Sequence, residues 1–310
     1  MIDGHTQLVG LLGWPVEHSL SPGMHNAAFE AFGMNWRYLP LPVHPGEVEQ
    51  AVRGLAALGF QGANVTVPHK RAVFPALASL SPTARALGAV NTLVVQRPDD
   101  RPPTVHGANT DADGFIGALQ HGGFTPTDTT TALVVGAGGA ARGVVYGLLT
   151  GGTGRIVVLN RGFERALVLI QDLAGRDDEW ASRLSALPLS TETLVETARG
   201  ADLLVNATTV GMWPRIEGSV WPDGVPLPAH LVVFDLVYNP LETRLLRQAR
   251  ESGAHPVDGL GMLVRQGALS FDLWTGRSIP IDEIDRVMRA ACERALSSGH
   301  GGTHQNSSSV

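Results

Sequence analysis

The stretch that decides the fold is Ala132-Leu-Val-Val-Gly136-Ala137-Gly138-Gly139-Ala140-Ala-Arg142, in which an apolar strand pattern leads through glycines into a helix pattern. Gly136 permits a tight turn, Gly138 lets the backbone approach a pyrophosphate, and the small Ala140 allows close packing of the helix. The amino terminus of that helix is suited to bind an anion. The stretch therefore predicts a dinucleotide-binding turn, with a purely structural glycine turn as the alternative.

On both sides of this turn, short apolar or β-branched runs alternate with helical patterns. Before it, strand patterns at 7–13 and 36–43 flank a helix near 23–32, and apolar residues three and four apart predict a helix over 45–58. After it, strands are predicted at 131–135, 155–159, 202–206 and 231–236, with helices from 138 and from 162. Such alternation predicts an α/β fold.

The predicted elements fall into two α/β domains. Residues 1–113 are expected to form an N-terminal α/β domain, and residues 114–257 a Rossmann-type, doubly wound dinucleotide-binding domain. We place the hinge near 111–114, where a helix leaves the first domain and leads to the glycine turn.

Beyond the second sheet the chain carries two more helical patterns, at 260–274 and 281–296, and then a polar end. Since the second sheet is already complete, we expect 258–296 to return to the first domain and pack on it. Residues 297–310 have almost no apolar side chains, so burial cannot offset their ordering entropy. A disordered tail is predicted there.

Composition and charge exclude several classes of protein. The 310 residues carry a formal net charge of −6 and only 17% are charged, so no basic field of the kind that binds nucleic acid is expected. Cys292 is the only cysteine, which excludes an intrachain disulfide and a cysteine-based zinc site and suits a reducing cytoplasm. The best membrane-span candidate, 132–149, is interrupted by glycines and Arg142. Neither a membrane span nor a metal site is predicted.

The strand after the glycine turn ends in Asn160-Arg161-Gly162-Phe-Glu164-Arg165. An NAD site would usually carry an acid here to hold the ribose 2′-hydroxyl. Two guanidiniums four residues apart on a helix start are expected on one face, where they can contact a 2′-phosphate. This pattern favours NADP; the alternatives are that both arginines are ordinary solvated helix residues, or that Glu164 binds a ribose.

One lysine occurs in the whole chain. Of the 23 basic residues, 22 are arginine and one is Lys70, in the stretch Asn64-Val-Thr66-Val-Pro-His-Lys70. Arginine does not usefully lose its proton, whereas burial can lower the pKa of a lysine and let it act as an acid or base. Lys70 is therefore the candidate for proton transfer, with an ordinary solvated lysine as the alternative.

A second polar cluster comprises Asn91-Thr92 and Asn109-Thr110-Asp111, which we place at the ends of consecutive strands. In open α/β sheets, ligands bind at the carboxyl ends of strands. The cluster therefore predicts a pocket at this edge. Asp111 is also a candidate helix N-cap, and the two roles are compatible.

The tetrapeptide Ser-Leu-Ser-Pro occurs twice, at Ser19 to Pro22 and at Ser79 to Pro82. Hydroxyls and free amides at a helix start suit a carboxylate ligand, but the repetition indicates that the motif alone is mostly a helix cap. Only the first copy directly follows a predicted strand and its turn. Ser19 and Ser21 are therefore the candidate ligands.

Taken together, these residues resemble the shikimate dehydrogenase family from about residue 7 to about residue 296. The resemblance implies NADP-dependent reduction of 3-dehydroshikimate to shikimate, with Lys70 catalytic and Asp111 as its partner. In that family the serine pair before the first helix binds the substrate carboxylate, which implies this role for Ser19 and Ser21. Further substrate contacts are implied for Asn64, Thr66, Asn91, Tyr238 and Gln266.

The cofactor motifs resemble that family as well. Its glycine turn is matched, whereas its Asn-Arg-Thr motif is matched less well because Gly162 stands where a hydroxyl would help to hold the 2′-phosphate. Arg265 stands where smaller or neutral residues are commoner, and it receives no role. The resemblance implies cofactor contacts by Gly136, Ala137, Gly138, Gly139, Ala140, Asn160, Arg161, Arg165, Thr208, Gly259 and Met262.

Other functions stay open on the same fold. A quinate or aminoshikimate dehydrogenase is the nearest, and a non-catalytic NADP-binding regulator belongs to another class, against which Lys70 and Asp111 argue. A methyltransferase would usually carry an acid where Asn160 stands. The expected partner is a small-molecule substrate, and the oligomeric state is left open, with a homodimer as one option.

Overall fold

The computed structural model describes residues 2–299, which form two halves, each built on a six-stranded sheet. The strands of the first half are β1 (Gln7–Gly13), β2 (Trp36–Pro42), β3 (Gly62–Val65), β4 (Ser79–Leu80), β5 (Thr92–Gln96) and β6 (Thr104–Ala108). Its helices are α1 (Ser21–Ala31), α2 (Val48–Ala57) and α3 (Pro82–Leu87). The strand order is β2-β1-β3-β5-β6-β4.

The second half is a doubly wound parallel sheet. Its strands are β7 (Thr131–Val135), β8 (Arg155–Asn160), β9 (Leu184–Pro188), β10 (Leu203–Asn206), β11 (Val232–Asp235) and β12 (His255–Val257). Its helices are α5 (Gly139–Thr150), α6 (Phe163–Ala174), α7 (Asp178–Arg183), α8 (Thr191–Ala198) and α9 (Arg244–Glu251). The order β12-β11-β10-β7-β8-β9 places β7 and the glycine turn after it centrally, where the strand order reverses.

Both faces of this second sheet are covered. In β7, Leu133 and Val135 pack into one hydrophobic core, whereas Ala132 and Val134 pack into the other. A parallel sheet buried on both faces requires nearly continuous apolar strands, which is the pattern of the sequence here. The predicted α/β fold with a Rossmann-type second half is confirmed.

One strand of the first sheet runs against the others. β5 pairs antiparallel with β3 and with β6, so Thr92 lies opposite both Asn64 and Ala108. Our expectation that Asn91 lies at the carboxyl end of a strand was therefore wrong, because Asn91 precedes β5. The antiparallel direction nevertheless brings it to the edge where β3 and β6 end, and the predicted polar cluster forms there.

The last two helices return to the first half. α10 (Leu260–Thr275) packs against α4 (Asp111–His121), which joins the halves, and α11 (Ile281–Gly299) packs against α1 and α10. Phe29, Phe271 and Ile284 share one buried core. A Cβ at Gly114 would lie 2.8 Å from that of Gln266, so this glycine permits the close approach of α4 and α10. The return of the C-terminal helices is confirmed, while the domain limits stay a prediction.

Three local predictions require correction. The pattern over 45–58 begins as a 3-10 turn at Pro45–Glu47 before α2 starts. Asp111 is not an N-cap: Thr110 occupies that position and Asp111 is the first helical residue. The predicted tail starts too early, because Ser297 bonds back to the Glu293 carbonyl within α11. Residues 300–310 of that tail lie outside the described part of the chain.

Within residues 2–299, no helix combines the length and apolar character needed to cross a membrane.

Candidate active site

The only lysine and the predicted aspartate form an ion pair. Lys70 lies in the turn that follows β3, and its Nζ donates to Asp111 Oδ2 at 2.6 Å. The side chains are 31% and 17% exposed, so both reach solvent while most of their surface is shielded. The other Asp111 oxygen accepts from Asn91 Nδ2 at 2.8 Å. The Asp111 carboxylate that binds the Lys70 ammonium is therefore itself held in place by Asn91.

Asn91 connects this pair to the returning helix. Its Nδ2 also donates to Thr110 Oγ1 at 2.9 Å and lies 3.4 Å from Gln266 Oε1. Its Oδ1 accepts from the Thr110 backbone N–H and from the Thr92 hydroxyl, both at 2.9 Å. The structure thus brings together Asn91, Asp111 and Gln266, for each of which the resemblance implies a place in the substrate pocket.

Asn64 is buried below this cluster and is used for support. Its Oδ1 accepts from the Tyr38 hydroxyl at 2.9 Å, and its Nδ2 donates to Ser270 Oγ at 3.0 Å and to the Asn91 carbonyl at 3.1 Å. Ser270 in turn shares a hydrogen bond of 2.7 Å with Thr92. Asn64 fixes the β3 and β5 ends against α10, and a direct substrate contact stays a prediction.

Tyr38 and Ser270 were not predicted from the sequence. Both are buried, and both complete hydrogen bonds that hold the predicted residues. A signal existed for Ser270, which stands four residues after Gln266 in an otherwise apolar stretch of a predicted helix. Nothing in the local sequence around Tyr38 indicates a partner 26 residues away.

The two Ser-Leu-Ser-Pro copies differ in structure. In the second copy Ser81 is the N-cap of α3 and accepts from the Ala84 N–H at 3.1 Å, as predicted. In the first copy Leu20 occupies the N-cap position without a side-chain cap. Ser21 is 7% exposed, and its backbone N–H donates to Ser19 Oγ at 3.2 Å. In the first copy, therefore, the Ser21 hydroxyl does not cap the helix.

The glycine turn fits a dinucleotide. Gly136 has φ +116°, a conformation that favours glycine, and a Cβ there would lie 3.0 Å from the Ala207 carbonyl oxygen. Gly138 and Gly139 face open space, and α5 begins after Gly138 with no side-chain cap. The exposed amides at this helix start can donate hydrogen bonds to phosphate oxygens. Ala137 and Ala140 keep the turn free of bulk.

A cleft of about 550 Å³ opens between the two halves. The first half contributes Lys70, Arg71 and Asp111 to its lining, and the second half contributes the glycine turn with Arg142, Glu164 and Arg165. The proton-transfer candidate and the candidate phosphate site therefore share one cavity.

The arginine pair does not lie as predicted. Gly162 is the N-cap of α6, so Arg161 precedes the helix and cannot share a helical face with Arg165. Arg165 lines the cleft, whereas Arg161 is exposed outside the lining residues. Asn160 Nδ2 donates to the Gly162 carbonyl at 2.8 Å and so shapes the turn between β8 and α6.

A buried network supports the loops after β10 and β11. Thr208 Oγ1 donates to Asn206 Oδ1 at 2.7 Å, and Asn206 Nδ2 donates to Asp235 Oδ1 at 2.8 Å. Thr243 donates to the second Asp235 oxygen at 2.7 Å. Burial raises the pKa of Asp235 to about 6. No role was predicted for Asp235 and Thr243 from the sequence, although an acidic residue at the end of an apolar strand indicates a buried polar contact.

Two further predicted residues, Gly259 and Met262, lie where α10 begins, and Tyr238 lies in the segment after β11. Gly259 is buried, and a Cβ there would lie 2.4 Å from the Leu236 carbonyl oxygen, so close packing alone requires glycine. Met262 packs against the core that contains Phe115. Tyr238 is partly buried, and burial raises the pKa of its hydroxyl.

Three family models match the chain in order. A shikimate dehydrogenase substrate binding domain matches residues 11–93, a shikimate/quinate 5-dehydrogenase model residues 119–212, and a shikimate 5′-dehydrogenase C-terminal domain residues 259–291. The NADP(+) shikimate dehydrogenase of Moorella thermoacetica is 47% identical over 296 residues, covering 94% of this chain and 95% of the relative.

The chain belongs to the shikimate dehydrogenase family.

Solved structures agree with this assignment. A crystal structure of a shikimate dehydrogenase in complex with NADP+ is 36% identical with a TM-score of 0.84, covering 96% of this chain and 98% of that one. A Listeria monocytogenes shikimate 5-dehydrogenase in complex with shikimate and NAD is 34% identical with a TM-score of 0.83, covering 93% and 98%. The family resemblance inferred from the sequence is confirmed.

Proposed function

We propose that this shikimate dehydrogenase family member catalyses the reversible NADP-dependent reduction of 3-dehydroshikimate to shikimate. The observation that carries the proposal is the Lys70–Asp111 ion pair of 2.6 Å in the cleft that also contains Gly138 and Gly139. This reaction requires the proton donor and the dinucleotide site in one cavity, and Lys70 and the glycine turn line the same cleft.

Bound NADPH supplies the hydride. Reduction of a ketone places negative charge on its oxygen, which an ammonium within hydrogen-bond reach stabilises. Lys70 takes this role, donates its proton to that oxygen, and accepts the proton in the reverse direction. Asp111 orients the ammonium through one oxygen, while Asn91 fixes the other.

The substrate is held by side chains at the edge of the first sheet. Ser19 and Ser21 bind its carboxylate. The N-cap position of α1 belongs to Leu20, and the one hydrogen bond between the pair, from the Ser21 N–H to Ser19 Oγ, leaves both hydroxyl protons available to a ligand. The ring hydroxyls of the substrate are bound by neutral polar side chains. We assign them to Asn64, Thr66, Asn91, Tyr238 and Gln266.

The cofactor is held at the edge of the second sheet. Gly136 shapes the turn, since its own N–H donates to the Leu159 carbonyl. The backbone amides of Ala137 to Ala140 bind the pyrophosphate, and Arg161 and Arg165 bind the 2′-phosphate. Asn160 and Thr208 shape the flanking loops through their hydrogen bonds. Gly259 and Met262 border the nicotinamide.

In this proposal, residues 1–113 with 258–296 are the substrate domain and residues 114–257 the NADP domain. The enzyme works in the reducing cytoplasm, where the buried Cys292 thiol stays free. Its partners are small molecules, without nucleic acid. Light scattering would decide between a monomer and the homodimer that we left open.

A spectrophotometric assay tests the proposed reaction. The purified chain is mixed with shikimate and either NADP or NAD, and formation of the reduced nicotinamide is followed. We expect higher kcat/KM with NADP. Quinate is the matched alternative substrate, because one of the matching family models covers quinate enzymes as well. Turnover of quinate but not of shikimate would contradict the proposal.

A further inference from the structure

The cleft between the halves has an excess of positive charge. Four cationic side chains line it against two anionic ones, in a chain with a formal net charge of −6. Such local reversal of sign concentrates anionic ligands. The cationic residues are Lys70, Arg71, Arg142 and Arg165, and the anionic ones are Asp111 and Glu164.

Two of the four cations are already neutralised. Lys70 pairs with Asp111 at 2.6 Å, and Arg142 pairs with Asp172 at 2.5 Å. Across residues 2–299, neither the Arg71 nor the Arg165 guanidinium has a hydrogen bond or an ion pair. One free guanidinium therefore lies on each side of the cleft.

The backbone that carries Arg71 is anchored. The Lys70 carbonyl accepts from the Val90 N–H at 2.8 Å, and the Arg71 carbonyl accepts from the Phe74 N–H at 3.3 Å. The buried His69 ring bonds to the Val43 carbonyl at 2.7 Å. The exposed Arg71 side chain thus projects from a fixed turn next to Lys70.

We propose that Arg71, on the substrate side of the cleft, binds the phosphate groups of the dinucleotide opposite the glycine turn and Arg165. The inference rests on the proposed function and adds a ligand from the other domain. Phosphate oxygens accept charge-assisted, bidentate hydrogen bonds from a guanidinium. A phosphate held between Arg71 and Gly139 contacts both halves of the molecule.

Binding of NADPH and of NADH to Arg71→Ala tests this proposal without any turnover. Titrations are followed by nicotinamide fluorescence on the whole chain. We expect the Kd for NADPH to rise at least about tenfold, the lower end for a lost charged hydrogen bond. An equal loss for NADH assigns Arg71 to the pyrophosphate, and a loss confined to NADPH assigns it to the 2′-phosphate. Both outcomes support a phosphate ligand.

Arg277→Ala is the matched control. Arg277 is also exposed, its side chain also lacks a partner within residues 2–299, and it does not line the cleft. We expect its Kd values to stay within about twofold of the parent. Arg71→Lys keeps the charge but loses the forked geometry, so it should bind NADPH with intermediate affinity.

Arg71→Ala could also act by disturbing Lys70, and steady-state kinetics separate the two. We expect a higher KM for NADP, with kcat at saturating cofactor and KM for shikimate within about twofold of the parent. An unchanged Kd for both dinucleotides would overturn the Arg71 assignment. A parent chain that binds NADPH but does not oxidise shikimate would overturn the proposed reaction and leave the Arg71 assignment standing.

Discussion

The two edges that meet at the cleft are built by different means. At the edge of the first sheet, side chains from distant segments form a continuous hydrogen-bonded network, in which Asn64, Asn91 and Ser270 hold one another. At the edge of the second sheet, backbone amides provide most of the ligand-binding groups, and the turn at Gly136 and Gly138 leaves them accessible. The first edge is therefore prearranged by side chains, whereas the second is prearranged by the turn.

This difference fits the two ligands. A small polyhydroxylated carboxylate needs several polar groups at fixed positions, because each mismatched buried group costs binding energy. A dinucleotide offers phosphates, which backbone amides and flexible arginines can bind. We therefore expect single side-chain substitutions to act mostly on catalysis and substrate at the first edge and on cofactor choice at the second.

Substitution of Lys70 should have the largest effect, because it should remove catalysis at the first edge and leave cofactor binding at the second edge intact. Lys70→Ala should lower turnover of shikimate by at least about 10²-fold with NADPH binding retained, because acid/base catalysis is lost. Lys70→Arg should recover little, since arginine keeps the charge but does not readily transfer a proton. Steady-state assays and NADPH titrations measure both quantities. Full recovery by arginine would reduce the role of Lys70 to electrostatics.

At the second edge, replacement of both Arg161 and Arg165 by Ala should weaken NADP binding and spare NAD. The expected loss is about 1.5 to 3 kcal/mol per charged hydrogen bond. Since Arg165 lines the cleft and Arg161 does not, Arg165→Ala alone should account for most of the loss in NADP affinity. Titrations with both cofactors check this prediction. An equal loss for NADP and NAD would contradict the 2′-phosphate assignment.

The free energy of unfolding should depend on pH through a buried histidine at the first edge. His25 is fully buried beneath it, stacked on Tyr38 at 4.4 Å, and burial lowers the pKa of His25 to about 3 from its ordinary 6.5. Below pH 6.5 the unfolded His25 takes up a proton and the folded one does not, so stability falls as pH falls. At pH 5 this amounts to about 2 kcal/mol.

Urea unfolding of the parent and of His25→Phe at pH 7 and pH 5 measures that contribution. Other titrating groups are common to both chains, so their effects cancel in the comparison. The fall in the free energy of unfolding from pH 7 to pH 5 should be smaller in His25→Phe by about 2 kcal/mol. Identical falls in the two chains would mean that His25 titrates normally.

The smallest effects come from the two serine copies, which serve as each other's control. Ser21→Ala should raise the KM for shikimate about tenfold, as expected for a lost hydrogen bond to a carboxylate, with stability little changed. Ser81→Ala should lower the free energy of unfolding by about 1 kcal/mol, because it removes a helix cap, with kinetics unchanged. The opposite pattern would mean that the wrong copy was assigned to the substrate.

Local patterns predicted the second half of the fold well. The bounds of β7 match the prediction, because the glycine turn and the apolar run are properties of neighbouring residues. The antiparallel direction of β5 was missed because strand direction depends on pairing with β3 and β6, which no local pattern records. The start of α6 was predicted to within one residue, at 162 instead of Phe163, so Arg161 lies before the helix and not on a face shared with Arg165.

Candidate site residues could be named from the sequence, but the buried hydrogen bonds that hold them in place could not. Lys70 stood out because it is the only lysine, and Asp111 through its place in a polar cluster. Tyr38 and Ser270 join Asn64 from positions 26 and 206 residues away, which only the folded chain brings together. The Arg71 side chain carries no signal either, because its relevance lies in what lines the opposite wall of the cleft.

The most direct test of the central claim is chemical rescue of Lys70→Ala by methylamine. The amine can occupy the space left by the side chain and supply the missing ammonium proton. We predict that turnover of shikimate by Lys70→Ala rises with methylamine concentration, while that of Ser21→Ala does not respond. Near-parental turnover by Lys70→Ala without any amine would contradict the claim that Lys70 transfers the proton.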